Sequence, residues 1–538
     1  MEDGLMKKRS GYWIRAFHLV WVTLFFVLIV GVSGWQSASS EARSMSEKTL
    51  VVARSGEPEW LNPVAGHQHP DSDMALFRGL FKIDAKNELV PDMAQSWEIS
   101  PDGRIYTIRL RPHIRWHDGI PFTAEDVRFT IETIQNPKNH SGLRTEVEEI
   151  SKVEVVDALT VRITLSRPLA PILSKLRIGL IPKHLLEGKD FNTDPFSHVR
   201  PVGTGPFKFA EWKRGEYLVL VANPDFYGGR PKLDRIIYKF IPDPNVRLVQ
   251  LKKGEIDIAM ISPKQVSAIR PSDGIAVEVV EKSADYRVMM FNFRHPLFQD
   301  VRVRQAIQYA TDRQALVDGA LLGYGHPAYG PLQFNWAGAK EIPRHDHDLK
   351  KAETLLNEAG WKRGNDGVLE KEGRRFSFHL TAGSNDPLRV DLATLLAGQL
   401  KQVGIEAVVE VKDFTSFKIQ EVEALILGGG FADEPDDDLY RFFSSRLGKE
   451  GRNYSGYQND TVDRLLEEGR STRVPEARKR IYQEIQRELI VNPPYNFLVY
   501  LKPLYAVRKG VTGFTHKIFG HKTTPLWNVE EWSVEGRP

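Results

Sequence analysis

The chemistry this chain could perform is concentrated where a short apolar run, Ala424 to Leu427, ends in Gly428-Gly429-Gly430-Phe431-Ala432-Asp433. Three glycines let backbone approach a bound molecule closely and offer its N–H and C=O groups for strand-like pairing. Asp433, a carboxylate fixed just beyond them, can pair with an ammonium through a charge-assisted hydrogen bond. The same letters also fit a plain glycine turn followed by a solvated acidic loop, with Asp433, Glu434, Asp436, Asp437 and Asp438 around Pro435. A second loop of this kind, Ser55-Gly-Glu-Pro-Glu-Trp-Leu-Asn-Pro63, follows the apolar stretch Thr49 to Arg54. Its Glu57, Trp60 and Asn62 either wall a cleft or make an ordinary surface turn.

Catalytic patterns are missing. There is no helical His-Glu-x-x-His or its inverse, no Gly-x-Ser-x-Gly elbow, no Walker loop and no dinucleotide fingerprint. The run His345-Asp346-His347-Asp348 resembles a metal site, but Asp348 reads as a helix cap and the alternating residues would need further ligands from elsewhere. No cysteine is present, which removes disulfides, thiolate sites and a lipid-anchoring thiol. The 73 basic residues nearly balance 70 acidic ones and are scattered, so nothing calls for nucleic acid. We therefore expect a binding protein rather than an enzyme, with no cofactor and no metal.

Long-range order must position the two loops. A chain of 538 residues exceeds one compact core and implies several lobes. Lys7, Lys8, Arg9 and Arg15 precede an apolar run from Ala16 to Gly34, followed by small polar residues. That is a secretory leader, cleaved or retained as an anchor, and it places everything from about residue 46 outside the cytoplasm. The first half of the remainder is mainly β: Tyr106 to Leu110, Val161 to Leu165, Tyr217 to Val221 and Ile236 to Ile241 alternate. One helix there starts at the capping box Thr123-Ala-Glu-Asp126. The second half is α/β. Asp300 caps a helical pattern running through Val303, Ile307, Leu316 and Leu321 to Gly323, and Asp348 caps another ending at Gly360. Phe376 to Leu380, Leu388 to Leu400 and Ile405 to Val411 then read as a βαβ unit. Ligands bind beyond the carboxyl ends of strands in open α/β sheets, and Asp433 is expected at such an end.

Several segments in order give the chain a wider identity: Glu57-Pro58 and Leu61-Asn62-Pro63, then Leu89-Val-Pro-Asp-Met-Ala-Gln-Ser-Trp-Glu98, and Trp116-His-Asp-Gly119 with Phe122-Thr-Ala-Glu-Asp126. Val202-Gly-Thr-Gly-Pro-Phe207, Gly254-Glu-Ile-Asp257, Asp300-Val-Arg-Val-Arg-Gln-Ala-Ile307 with Asp312-Arg313, and Asn453-Tyr-Ser-Gly-Tyr457 follow. Over most of its length the chain resembles the extracellular solute-binding proteins of family 5, the dipeptide and oligopeptide binders. The resemblance implies an α/β, two-lobed periplasmic-binding-protein-like fold of type II, with an extra β-rich subdomain in the first lobe and a hinge between lobes. It divides the chain into a leader or anchor over 1–45, a first lobe over 46–287 with the subdomain at about 90–200, a second lobe over 288–502, and a C-terminal segment over 503–538 that returns to the first lobe. The implied role is a periplasmic, monomeric component of an ABC importer, which captures a small peptide and hands it to a membrane permease and ATPase complex. Relatives that bind nickel chelates, haem, opines or sugars, and a sensing or chaperone role, are the alternatives.

By the same resemblance Asp433 holds the ligand's α-amino group, with Gly429, Gly430 and Phe431 beside it. Two departures stand out. The tryptophan usual shortly before that aspartate is replaced by Gly430-Phe431. Gly383 stands where dipeptide binders carry an arginine for the ligand carboxylate, and Arg389 is the nearest substitute.

Overall fold

The computed structural model describes residues 47–65, 74–197, 200–339, 341–430, 433–448, 451–521 and 524–535. The expected leader and Phe431 lie outside them. Among the described residues no helix is long and apolar enough to cross a membrane.

Alternation in the first strand, Thr49–Arg54, shows how the first lobe is built. Leu50 and Val52 face one core while Val51 and Ala53 face another, so this strand is buried on both sides. It lies fourth in a seven-stranded sheet ordered Ile275–Val279, Leu504–Arg508, Ile258–Ile261, Thr49–Arg54, Arg235–Phe240, Tyr217–Ala222, Phe207–Lys213. Its pairing with Arg235–Phe240 and with Ile258–Ile261 is parallel. A separate four-stranded antiparallel sheet carries Ala94–Ile99, Ile105–Leu110, Thr160–Leu165 and Ile150–Asp157. Against it packs the helix Ala124–Gln135, closed at its start by the Thr123/Asp126 capping box that the sequence announces.

The second lobe is a three-layer sandwich. Its six-stranded sheet runs Gly325–Pro327, Tyr495–Leu501, Tyr286–Phe291, Ala424–Gly429, Ser377–Gly383, Glu406–Lys412. Met289 and Phe291 face a core shared with the helices Val301–Ala310, Arg313–Leu321, Leu349–Glu358 and Pro387–Gln402. Tyr286, Val288 and Met290 face the opposite core with Pro435–Phe443, Asp460–Ser471 and Pro475–Val491. Burying each such side chain contributes about 1.5–3 kcal/mol before entropy is counted, so two full apolar faces hold this sheet in place.

One expected helix is two. The pattern from Val303 to Leu321 is interrupted at Thr311, which is extended, and Asp312 caps a fresh start by accepting from the Ala315 N–H at 2.9 Å. The interruption turns the Arg313 guanidinium inward, where it donates to the carbonyls of Ala328 and Phe497, both at 2.8 Å. Asp348 caps its helix as expected, accepting from the Lys351 N–H.

The chain passes between lobes twice, before Tyr286–Phe291 and after Tyr495–Leu501. The first passage is tied to the C-terminal segment, where the Ala284 N–H donates to the Phe519 carbonyl at 2.6 Å.

Candidate ligand-binding cleft

Three parallel strands of the second lobe, Ser377–Gly383, Glu406–Lys412 and Ala424–Gly429, end at one edge of the sheet. The antiparallel strand Tyr286–Phe291 begins there, with Tyr286 opposite Gly429. Sheet topology thus gathers Asp285, Arg287, Gly430, Asp433, Asp386 and Arg389 along a single rim.

Asp433 stands at this rim and faces the other lobe. The Arg177 guanidinium reaches it across the seam at 2.7 Å, and its own backbone carbonyl accepts the Trp336 indole N–H at 2.8 Å. The expected acidic loop is instead the start of the helix Pro435–Phe443, capped by Glu434, and its carboxylates are neither solvated nor idle. Glu434 takes a bidentate bond from Arg478 at 2.7 and 3.0 Å, and Asp436 lies 3.5 Å from Arg470. Asp437 is bonded by Lys175 of the first lobe, which also meets Glu146 at 2.7 Å. Burial pushes the Asp437 carboxyl up to about 6, with Lys175 pulling the other way. Lys175, despite burial, is held well above the usual lysine value by Asp437, Glu146 and Asp436. Lys517, from the C-terminal segment, sits over the Trp527 ring and is lowered by burial to about 8, with Asp433 opposing.

The glycines serve packing more than exposure. Gly430 has φ +113°, and a Cβ on it would lie 1.7 Å from the Ala284 carbonyl oxygen. Its carbonyl is already taken by the His521 N–H at 2.6 Å, and Gly429 is paired with Tyr286. The Gly430 carbonyl is thus used where the second lobe touches the C-terminal segment.

Next to this lies a second charged group. Arg287, 7% exposed, bonds Asp285 at 2.6 Å and approaches Asp386 at 3.5 Å, while His521 Nδ1 meets Asp285 at 2.8 Å. Burial pushes Asp285 upward, but Arg287 and His521 outweigh it and hold the carboxyl down at about 2. Arg389 bonds Asp386 at 3.2 Å and stands over the Phe414 ring. Phe414 also explains Gly383, because a Cβ there would be 2.1 Å from the ring. The place of the usual arginine is filled, and Arg389 brings its guanidinium to the rim from the first turn of the neighbouring helix.

The other loop stays at home. Glu57 accepts from the Trp212 indole at 2.8 Å and from the Gly215 N–H at 3.0 Å, both in its own lobe. Asn62 is buried and accepts from the Val64 N–H, while Trp60 is half-buried in the same loop. Arg177, Lys175 and Trp336 join this site from distant parts of the sequence. The only local trace of the first two is a pair of cations alternating in the apolar stretch Ile172 to Leu180, and Trp336 carries none.

The chain matches, over residues 88–450, the family described as bacterial extracellular solute-binding proteins, family 5 Middle. It is 30% identical over 529 residues to the oligopeptide-binding protein AppA of Bacillus subtilis, covering 94% of this chain and 96% of that one. The structure of AppA with a nonapeptide superposes with TM-score 0.80 at 29% identity, covering 91% of this chain and all of the other. NikZ from Campylobacter jejuni, in complex with Ni(L-His), superposes with TM-score 0.85 at 39% identity, covering 90% of this chain and 99% of that one. With its two-lobed architecture and these matches, the chain belongs to the bacterial extracellular solute-binding proteins of family 5.

Proposed function

We propose that this protein is the exported, monomeric substrate-binding component of an ABC importer. It closes its two lobes on short peptides through their free amino end and presents the closed form to a membrane permease and ATPase complex. The observation that carries this reading is Asp433, a carboxylate at a strand end whose partner, Arg177, belongs to the opposite lobe. An α-ammonium entering the seam finds a charge of opposite sign already fixed by the Trp336 bond to the loop. The basic and then apolar N-terminus supports export. Calorimetry with short peptides bearing free or acetylated N-termini tests the reading. Tight binding of the free forms alone is expected, and equal affinity for both would remove Asp433 from this role.

A second reading is favoured by one observation, the 39% identity to a structure holding Ni(L-His). In it the ligand is an amino-acid chelate whose amino group or carboxylate meets the same rim. Adding histidine with and without nickel to the titrations separates the two readings.

A further inference from the structure

Charges at the seam pair off unevenly. Glu434 with Arg478, Asp436 with Arg470 and Glu146 with Arg441 form pairs at 2.7, 3.5 and 3.1 Å. Lys175 and Arg177 of the first lobe remain to face Asp437 and Asp433 of the second. Lys175 is buried and held among Asp437, Asp436 and Glu146, so it has no freedom to meet a ligand. Arg177 differs: its side chain is 29% exposed and touches Asp433 at 2.7 Å and Asp437 at 3.7 Å. Its base is rigid. The Ser174 carbonyl accepts from its Nε at 2.9 Å, and its own carbonyl lies so close to Gly79 that a Cβ there would be 2.4 Å away.

An ammonium that reaches Asp433 must take the place of the Arg177 guanidinium. The displaced group keeps Asp437 but loses its nearer partner, and a half-buried cation losing a partner opposes binding unless the ligand supplies one. In an α-aminoacyl group the carbon beside the one bearing nitrogen carries an oxygen, so an acceptor arrives together with the ammonium. We propose that Arg177 is the second half of a two-point receptor: Asp433 takes the α-ammonium and Arg177 moves onto the oxygen next to it. That oxygen is the first carbonyl of a peptide or the carboxylate of a free amino acid, and the charged one binds the guanidinium more strongly. The inference rests on Asp433 as ammonium acceptor and adds the selecting residue. Simple amines bind more weakly because they leave Arg177 with Asp437 as its one carboxylate partner, at the longer distance of 3.7 Å.

The test is calorimetry of the purified protein and its Arg177→Met and Arg177→Lys variants. The probes are trialanine, trialanine with its first carbonyl reduced to methylene, histidine with and without nickel, and histamine. Histidine or trialanine should bind the wild type at least about tenfold more tightly than the analogue lacking the oxygen, and Arg177→Met should erase that difference by weakening the better ligand. Arg177→Lys should restore part of it. Tighter binding by Arg177→Met would overturn the proposal, since it would make Arg177 a mere competitor for Asp433; unchanged affinity would overturn it as well. Should Arg177→Met melt abnormally, the comparison on the wild type decides: histamine equal to histidine, or reduced equal to intact trialanine, refutes the role. Binding of histidine but of no peptide would end the peptide reading and leave Arg177 testable on histidine. A wild type that binds none of the probes overturns both.

Discussion

The loops after Thr49–Arg54 and after Ala424–Gly429 start alike, each leaving a buried interior strand of its sheet through glycine toward carboxylates. They end differently. Glu57 closes a hairpin of its own lobe by bonding Trp212 and Gly215, whereas Asp433 and Asp437 find their cations on the opposite lobe. A carboxylate satisfied at home keeps its partner when lobes part, and one satisfied across a seam loses it. Only the second kind links a charge to the distance between lobes, and that is what makes a strand-end loop a candidate receptor.

Glu434 anchors the start of the helix Pro435–Phe443 within its own lobe through a buried bidentate bond to Arg478. Glu434→Gln should cost about 3 kcal/mol or more of unfolding free energy, measured by denaturant titration, because it leaves a buried guanidinium uncompensated. Asp433→Ala should barely change folding but weaken ligand binding by more than about 2 kcal/mol in calorimetry. A large fall in melting temperature with unchanged affinity would place Asp433 with Glu57 instead.

Asp285 sharpens the contrast, since its partners Arg287 and His521 come from both sides of the first passage. Its carboxyl is held at about 2, below the usual value near 3.8, so the ionised form is favoured by folding. That contribution, about 2 kcal/mol, is fully present above pH 4 and is lost as pH falls from 3.8 toward 2. Unfolding curves of Asp285→Asn should show a shallower acid slope than the parent in that window. The smallest effect belongs to Glu57→Gln, expected to cost no more than about 1 kcal/mol of stability and to leave ligand affinity as it was. A loss of affinity there would erase the distinction between the loops.

Much of the architecture was legible because local rules carried it. Thr123 with Asp126, Asp300, Asp348 and the alternation from Thr49 to Arg54 each announce the element they begin. The interruption at Thr311 was not legible, since apolar spacing continues through it and the carbonyls of Ala328 and Phe497 that hold the inward-turned Arg313 lie elsewhere in the chain. The site divides the same way. Asp433 can be found from a strand, glycines and a carboxylate in succession, but Arg177 becomes its neighbour only when two lobes meet. Gly383 reads as a lost arginine until Phe414 is seen filling the space.

The placement of Leu504–Arg508 bears on how this molecule is made. That strand lies between Ile258–Ile261 and Ile275–Val279 and pairs with both, so among the described residues it alone joins the outermost strand to the sheet. A nascent chain that has emerged only as far as the second lobe exposes an open sheet edge at Ile258–Ile261 and an orphaned strand at Ile275–Val279. The lobe that begins first is therefore completed last, and until about residue 508 is free its half-built sheet is the surface where a chaperone has most to protect.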